Sequence, residues 1–117
     1  MKTRKVNRSG IYDVDACFLA LADSTRRDII HMLLLQPLRA GELAKSVEMS
    51  PQALSRHLRV LRKIGLVVEQ RLKKDARVRV YSVELVALEP VQERFWHMGS
   101  LWKQQFESTQ RTRRPRS

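Results

Sequence analysis

Between Ser50 and Ile64, two kinds of side chain are sorted at helical spacing. Leu54, Leu58 and Leu61 recur every three or four residues, with Gln52, Ser55, Arg56, Arg59 and Lys63 between them. Coiled as an α-helix, the leucines form one buried stripe and the hydrogen-bonding side chains project from the other face. An exposed amide or guanidinium can read the edge of a base pair. Gln pairs bidentately with adenine and Arg with guanine, each contact contributing about 1 to 3 kcal/mol of discrimination. A helix entering the major groove presents its N-terminal residues to the bases. Base reading therefore falls to Gln52, Ser55 and Arg56, and phosphate contact to Arg59, Arg62 and Lys63 further along. Ser50 reads as the N-cap, with Pro51 at the first helical position, where its missing N–H costs nothing. His57 flanks the leucine stripe, a place that suits packing, a hydrogen bond within the helix, or a phosphate contact.

A reading helix needs a rigid mount. Upstream, Leu43, Ala44 and Val47 mark the inner side of a short helix over roughly Ala40 to Val47, joined to the next by a tight Glu48-Met49 connection. Downstream, Gly65 ends the reading helix and the rhythm changes. LVVEQRL and VRVYSV alternate with period two around the polar segment KKDAR, which predicts a β-hairpin. Its tip carries Lys73, Lys74 and Arg77, suited to the neighbouring DNA backbone or the minor groove and giving affinity more than sequence choice. Two further helices precede this unit. Val14, Cys17, Phe18 and Leu21 share one face of the first; Ser24 reads as the N-cap of the second, Thr25 to about Leu35, which Pro37 ends. Helical spacing returns from Pro90 to about Ser108, with Val91, Phe95, Met98, Trp102 and Phe106 in one sector. The predicted fold is mainly α with a small β-hairpin: a winged helix-turn-helix of about five helices and a two-stranded wing.

Charge supports a polyanion as partner through its distribution more than its sum. Of a net +11, eight units lie in basic ends that lack apolar periodicity: an arm over residues 1–10 (Lys2, Arg4, Lys5, Arg8) and a tail over residues 111–117 (Arg111, Arg113, Arg114, Arg116). Within the expected folded domain, residues 11–110, the stretch from 50 to 80 holds nine basic side chains against Glu69 and Asp75, and the remainder holds six basic against ten acidic. A one-sided basic face is the footprint of a nucleic-acid binder. The other reading of such charge is a general architectural protein that binds nucleic acid without sequence preference. Enzymatic chemistry has no support: there is no P-loop, nucleotide-binding glycine pattern or nucleophile elbow, and only four glycines are present to build ligand loops. The lone Cys17 cannot form an internal disulfide, and no Cys/His cluster has zinc spacing. The longest apolar run, Ile29 to Leu35, is broken by His31 and is too short to span a membrane. These features point to a cytoplasmic protein with no membrane partner and no cofactor. A chain of 117 residues that is 43% apolar has a core, but apolar residues near both ends would be costly to leave in water, so self-association is expected.

These residues resemble the arsenic-repressor (ArsR) family of bacterial winged-helix regulators. The resemblance runs from Phe18 to about Phe106. It rests on Ala20-Leu21-Ala22-Asp23-Ser24-Thr25-Arg26-Arg27, Gly41-Glu42-Leu43-Ala44, the stretch MSPQALSRHLRVL from Met49 to Leu61, Gly65-Leu66-Val67, and Asp75-Ala76-Arg77 with Tyr81. It implies a homodimer that binds an imperfect promoter palindrome in double-stranded DNA, usually as a repressor and often of its own operon. The first and last helices would form the interface, here through Val14, Phe18, Leu21, Phe95, Met98 and Trp102. The family's metal switch does not come with it. Where metal-sensing members carry a cysteine pair, this chain has Glu42-Leu43-Ala44-Lys45-Ser46. Glu89, Glu93 and His97 share a face of the last helix, but the Asp-x-His partner of the second family site is missing, and exposed i,i+4 pairing is the simpler reading. Cys17 sits on an apolar face and reads as core filler in preference to a redox sensor. Trp96 points off the main stripe, toward either the dimer interface or an effector pocket. The inducing signal is left as an unidentified small molecule, a redox change or protein level alone.

Overall fold

A computed structural model describes residues 13–113, with side chains through residue 110. The basic arm expected over residues 1–10 and the final four residues of the basic tail lie outside the described residues. The order is α1 (Val14–Leu21), α2 (Ser24–Leu35), β1 (Leu38–Arg39), α3 (Ala40–Ser46), α4 (Pro51–Lys63), β2 (Val67–Arg71), β3 (Arg79–Val83) and α5 (Leu85–Arg113).

The helix starts follow from short acceptor side chains. Asp13 caps α1 by accepting from Ala16 N at 3.2 Å, and Ser50 caps α4 by accepting from Ala53 N at 3.1 Å. The N-cap of α2 is Asp23, whose carboxylate accepts from Arg26 N at 3.1 Å, while Ser24 is already helical. That corrects the placement of the cap at Ser24: the two adjacent residues are both good caps, and an acidic one gains in addition from the helix dipole.

Helices α3 and α4 end in the same hydrogen-bond pattern. After α3, Glu48 N donates to Lys45 O at 3.2 Å and Met49 N to Ala44 O at 3.0 Å. After α4, Gly65 N donates to Arg62 O and Leu66 N to Leu61 O, both at 3.0 Å. Each is a Schellman closure, which needs a left-handed residue just past the helix. Gly65 takes it at φ 84°, at no steric cost. Glu48 takes it at φ 50°, with a Cβ in the way. This residue forms the tight turn between the two helices.

The sheet has three strands in the order β1-β3-β2, both pairings antiparallel. The hairpin matches the expected strands. The third strand corrects the two-stranded wing: Leu38 pairs with Tyr81 and Arg39 with Val80. Two residues are too few to show alternation, which is why the strand left no trace in the sequence pattern. It leads straight into α3, where the Glu42 carboxylate reaches back to accept from Arg39 N at 2.9 Å.

The last helix begins five residues before the expected start at Pro90 and runs to Arg113. A proline inside a helix leaves a carbonyl without its donor, a cost of about 3 kcal/mol. Burial of Ala87 and Val91 on either side opposes that cost. The core gathers Cys17, Ile29, Leu33, Leu43, Leu54, Leu58, Leu61, Leu66 and Val67 from all layers. It excludes α5 beyond about residue 100, whose described side chains are all exposed. Among the described residues, no helix is long and apolar enough to cross a membrane.

Candidate nucleic-acid interface

The leucine stripe of α4 is seated in the core, with Leu54, Leu58 and Leu61 buried. That seating fixes the rotation of the helix, so Gln52, Ser55, Arg56, Arg59 and Lys63 are all exposed on one side. Gln52, Ser55 and Arg56, expected from the sequence to face bases, share one exposed surface, as their spacing predicts.

On α4, two of the residues assigned to DNA also have side-chain partners elsewhere in the protein. His57 is half-buried, and its Nδ1 lies 3.3 Å from Arg26 Nη1. The same guanidinium donates through Nε to Ala20 O at 2.8 Å, tying the end of α1 to the middle of α4. Beside them the Asp23 carboxyl is held below its usual range, chiefly by the backbone N–H of Arg26 and further by the Arg26 guanidinium. Arg62 reaches the wing: its Nη2 lies 2.9 Å from Glu69 Oε1. Glu69 also pairs with Arg79 Nε at 3.3 Å and accepts from Tyr81 Oη at 3.3 Å. Its side chain is only 12% exposed, against 46% for Arg62 and 51% for Arg79. Register explains the meeting, since Glu69 and Tyr81 are directly paired across β2 and β3.

A cleft of about 400 Å³ opens above this cluster, between the start of α3, the length of α4 and β3, with Gly41, Ser55, Arg59, Arg62, Arg79 and Tyr81 on its walls. Neither Glu69 nor Arg79 stood out by residue type. The available signal was Glu69 as one of two acids in a stretch of nine bases.

At the wing tip Lys73 and Lys74 are exposed, and Arg77 is clamped. Its Nε and Nη2 donate to Asp75 Oδ1 and Oδ2 at 3.0 and 3.1 Å, and its backbone N donates to Oδ1 at 3.0 Å. The Asp75 carboxyl is held below its usual range, first by the Arg77 side chain. Arg71 Nη1 donates to Ala76 O at 2.9 Å, so both guanidiniums order the turn.

The residues expected at a dimer interface are divided between two roles. Val14, Phe18 and Leu21 pack against the core, and Phe18 meets Phe95 edge-on at 5.1 Å between ring centroids. Met98 is half-buried, whereas Phe95 and Trp102 remain largely exposed. Leu19, Trp96, Leu101 and Phe106 are exposed as well; of these, the sequence placed Phe106 on the stripe of the last helix, offered Trp96 either the interface or an effector pocket, and gave Leu19 and Leu101 no role. Cys17 is fully buried and its thiol is pushed up, first by burial and then by the charge of Asp13. Glu89, Glu93 and His97 are exposed, and among the described residues no three His, Cys, Asp or Glu side chains are placed to hold a metal together.

A capped, outward-facing helix behind a tight turn, flanked by a basic hairpin, defines a winged helix-turn-helix, a class of DNA-binding transcriptional regulators. The profile of the bacterial regulatory proteins of the arsR family matches residues 23–68. The chain is 40% identical to the HTH-type transcriptional regulator Rv2034 of Mycobacterium tuberculosis over 85 residues, covering 70% of this chain and 77% of that protein. It is 41% identical to the transcriptional activator HlyU of Vibrio cholerae over 64 residues, covering 55% of this chain and 56% of that protein. Among solved structures, an ArsR family transcriptional regulator, RHA00566, superposes with a TM-score of 0.65 at 28% identity, covering 77% of this chain and 96% of that one. The chain belongs to the arsR family.

Proposed function

We propose that this protein is a homodimeric repressor that binds a palindromic promoter site in the cytoplasm, reading bases with Gln52, Ser55 and Arg56. Arg59, Lys63 and the wing residues Lys73, Lys74 and Arg77 hold the DNA backbone; Ser50 sets the start of the reading helix, and His57 and Arg62 brace its flanks. The observation that carries this reading is the seating of Leu54, Leu58 and Leu61, which leaves the polar face of α4 exposed and fixed in rotation. Self-association is supported by the apolar residues on α1 and α5 that the monomer leaves outside its core. A relative named as an activator makes the sign of regulation something to be measured rather than assumed.

The test begins with a site selected by the protein from random duplexes. Binding to that site should survive an excess of unrelated DNA; equal binding to both identifies a general nucleic-acid binder instead. Arg56→Ala should weaken binding by about 1 to 3 kcal/mol and relax preference at one base position. Lys74→Ala should weaken all sequences alike and reduce the salt slope by about 0.9, the loss of one phosphate contact. Indistinguishable behaviour of the two variants would show that the division into base readers and backbone contacts is wrong. A reporter driven by the site, with and without the protein, gives the sign of regulation.

A further inference from the structure

We infer that Glu69 determines specificity by restraint: it holds Arg62 and Arg79 away from DNA phosphates, suppressing binding to sequences that α4 does not recognise. The inference rests on the proposed DNA-binding reading of α4 and concerns how that surface is tuned.

Arg62 and Arg79 stand on the walls of the same cleft as Ser55 and Arg59, so they face the surface proposed to meet DNA. Both are about half-exposed, as free phosphate contacts would be. They are not free. One carboxylate takes both, Oε1 from Arg62 at 2.9 Å and Oε2 from Arg79 at 3.3 Å, with the Tyr81 hydroxyl as a third partner at 3.3 Å. Glu69 is itself largely covered, so its charge has little water to turn to and depends on these partners. Its nearest acidic counterpart, Asp75, pairs instead with Arg77, which projects from the wing tip with its side chain 89% exposed. Asp75 is 39% exposed and Glu69 only 12%, so water screens the Arg77 pair more, and Glu69 is the stronger restraint of the two.

Phosphate contacts are the part of DNA binding that every sequence offers equally. Two guanidiniums released over the cleft would strengthen binding to any duplex and add nothing to base reading. Holding them back lowers the affinity for unrelated DNA more than for the operator, where base contacts by Gln52, Ser55 and Arg56 persist. Glu69 also links the end of α4 to β2, so it keeps the wing at a fixed distance from the reading helix.

The experiment compares wild type, Glu69→Gln, Arg79→Met and Lys74→Met on the selected site and on a random duplex between 50 and 200 mM salt. Each additional phosphate contact steepens the log-log salt slope by about 0.9. Glu69→Gln should bind random duplex more tightly at 50 mM. It should then lose about 3- to 12-fold more affinity across the salt range than wild type does, corresponding to one or two contacts released. Its preference for the selected site should shrink accordingly. Adding Arg62→Met and Arg79→Met to Glu69→Gln should restore the wild-type slope. A role in folding alone would lower affinity on both duplexes and leave the slope unchanged, and that result overturns the inference. Arg79→Met alone keeps the inference testable should Glu69→Gln fold poorly. The held guanidinium should leave the random-duplex slope of the wild type unchanged, whereas Lys74→Met should reduce it by about 0.9. A fall in slope with Arg79→Met equal to that of Lys74→Met means Arg79 already contacts phosphate and refutes the restraint. If wild type itself fails to distinguish the selected site from random duplex, the underlying reading has failed; if it distinguishes them and the Glu69 and Arg79 variants miss these slopes, only the restraint has.

Discussion

Ser50 offers a way to separate what builds the reading helix from what touches DNA. Its hydroxyl accepts from Ala53 N at 3.1 Å, and its carbonyl accepts from Leu54 N at 3.0 Å. Pro51 has no N–H to satisfy, so the hydroxyl supplies the one side-chain bond that closes the first turn. Ser50→Ala removes that acceptor and should cost about 1 kcal/mol of stability, within the usual range of about 0.5 to 2 for a lost cap. Operator affinity should fall with it, because Gln52, Ser55 and Arg56 stand on the turn that frays. Ser50→Asn and Ser50→Asp both keep an acceptor at the cap and should hold stability close to wild type. They should part company on DNA. Asp places a negative charge at the end of the helix proposed to approach the phosphates, so Ser50→Asp should bind weakly at low salt. It should recover relative to wild type as screening shortens to about 8 Å at physiological ionic strength. Urea melts and fluorescence-anisotropy titrations at several salt concentrations read the two effects independently. A Ser50→Asp protein as unstable as Ser50→Ala would refute the capping argument. One that is stable and binds DNA as tightly as wild type at low salt would refute the proposed approach of this helix end to the backbone.

Glu48→Gly should stabilise the fold by about 0.5 to 1 kcal/mol, since relief of a left-handed side chain outweighs the extra freedom of glycine in the unfolded chain; an unchanged or lower urea midpoint contradicts it. Cys17 is more weakly acidic in the fold than its ordinary value of 9.0. The stability this represents is therefore complete below about pH 9 and lost as pH rises through the raised folded value. Stability measured from pH 7 to 10 should fall less steeply in Cys17→Ala than in wild type, and equal slopes would exclude the linkage. Trp102 is 63% exposed, so Trp102→Glu should leave the monomer folded by circular dichroism. It should also abolish dimers in sedimentation and weaken operator binding by at least about tenfold through loss of the second half-site; a persistent dimer would remove this face from the interface.

The helix-turn-helix was legible because its determinants are local. The leucine spacing, Ser50 with Pro51, and Gly65 each act within a turn or two of chain, and α4 begins and ends where they place it. The hairpin was legible from alternation for the same reason. What escaped notice depends on partners distant in sequence. β1 exists only because β3 lies beside it, and Pro90 sits inside a helix because Ala87 and Val91 are buried on either side. Glu48 carries no sign of a left-handed backbone, a role usually filled by glycine. The exposed polar face of α4 could be predicted as a list of residues, whereas the pairing of Arg62 with Glu69, and of His57 with Arg26, depends on elements brought together by the fold. Both pairings turn side chains assigned to DNA back toward the protein.

The two-residue strand β1 has a mechanical consequence. Through it the start of α3 is fastened to β3; β3 is zipped to β2; and β2 is fastened by Glu69 to the end of α4. Helix, turn, helix and wing therefore form a closed loop of attachments, which resists internal bending and turns as one block. In the proposed dimer, half-sites about 34 Å apart put each block about 17 Å from the two-fold axis. A swivel of about 10° at α1 and α5 then carries the reading helix about 3 Å, nearly one base-pair step. A signal would not have to reach the reading helix to silence it; a small change of angle where the protomers meet would move both helices off their bases together.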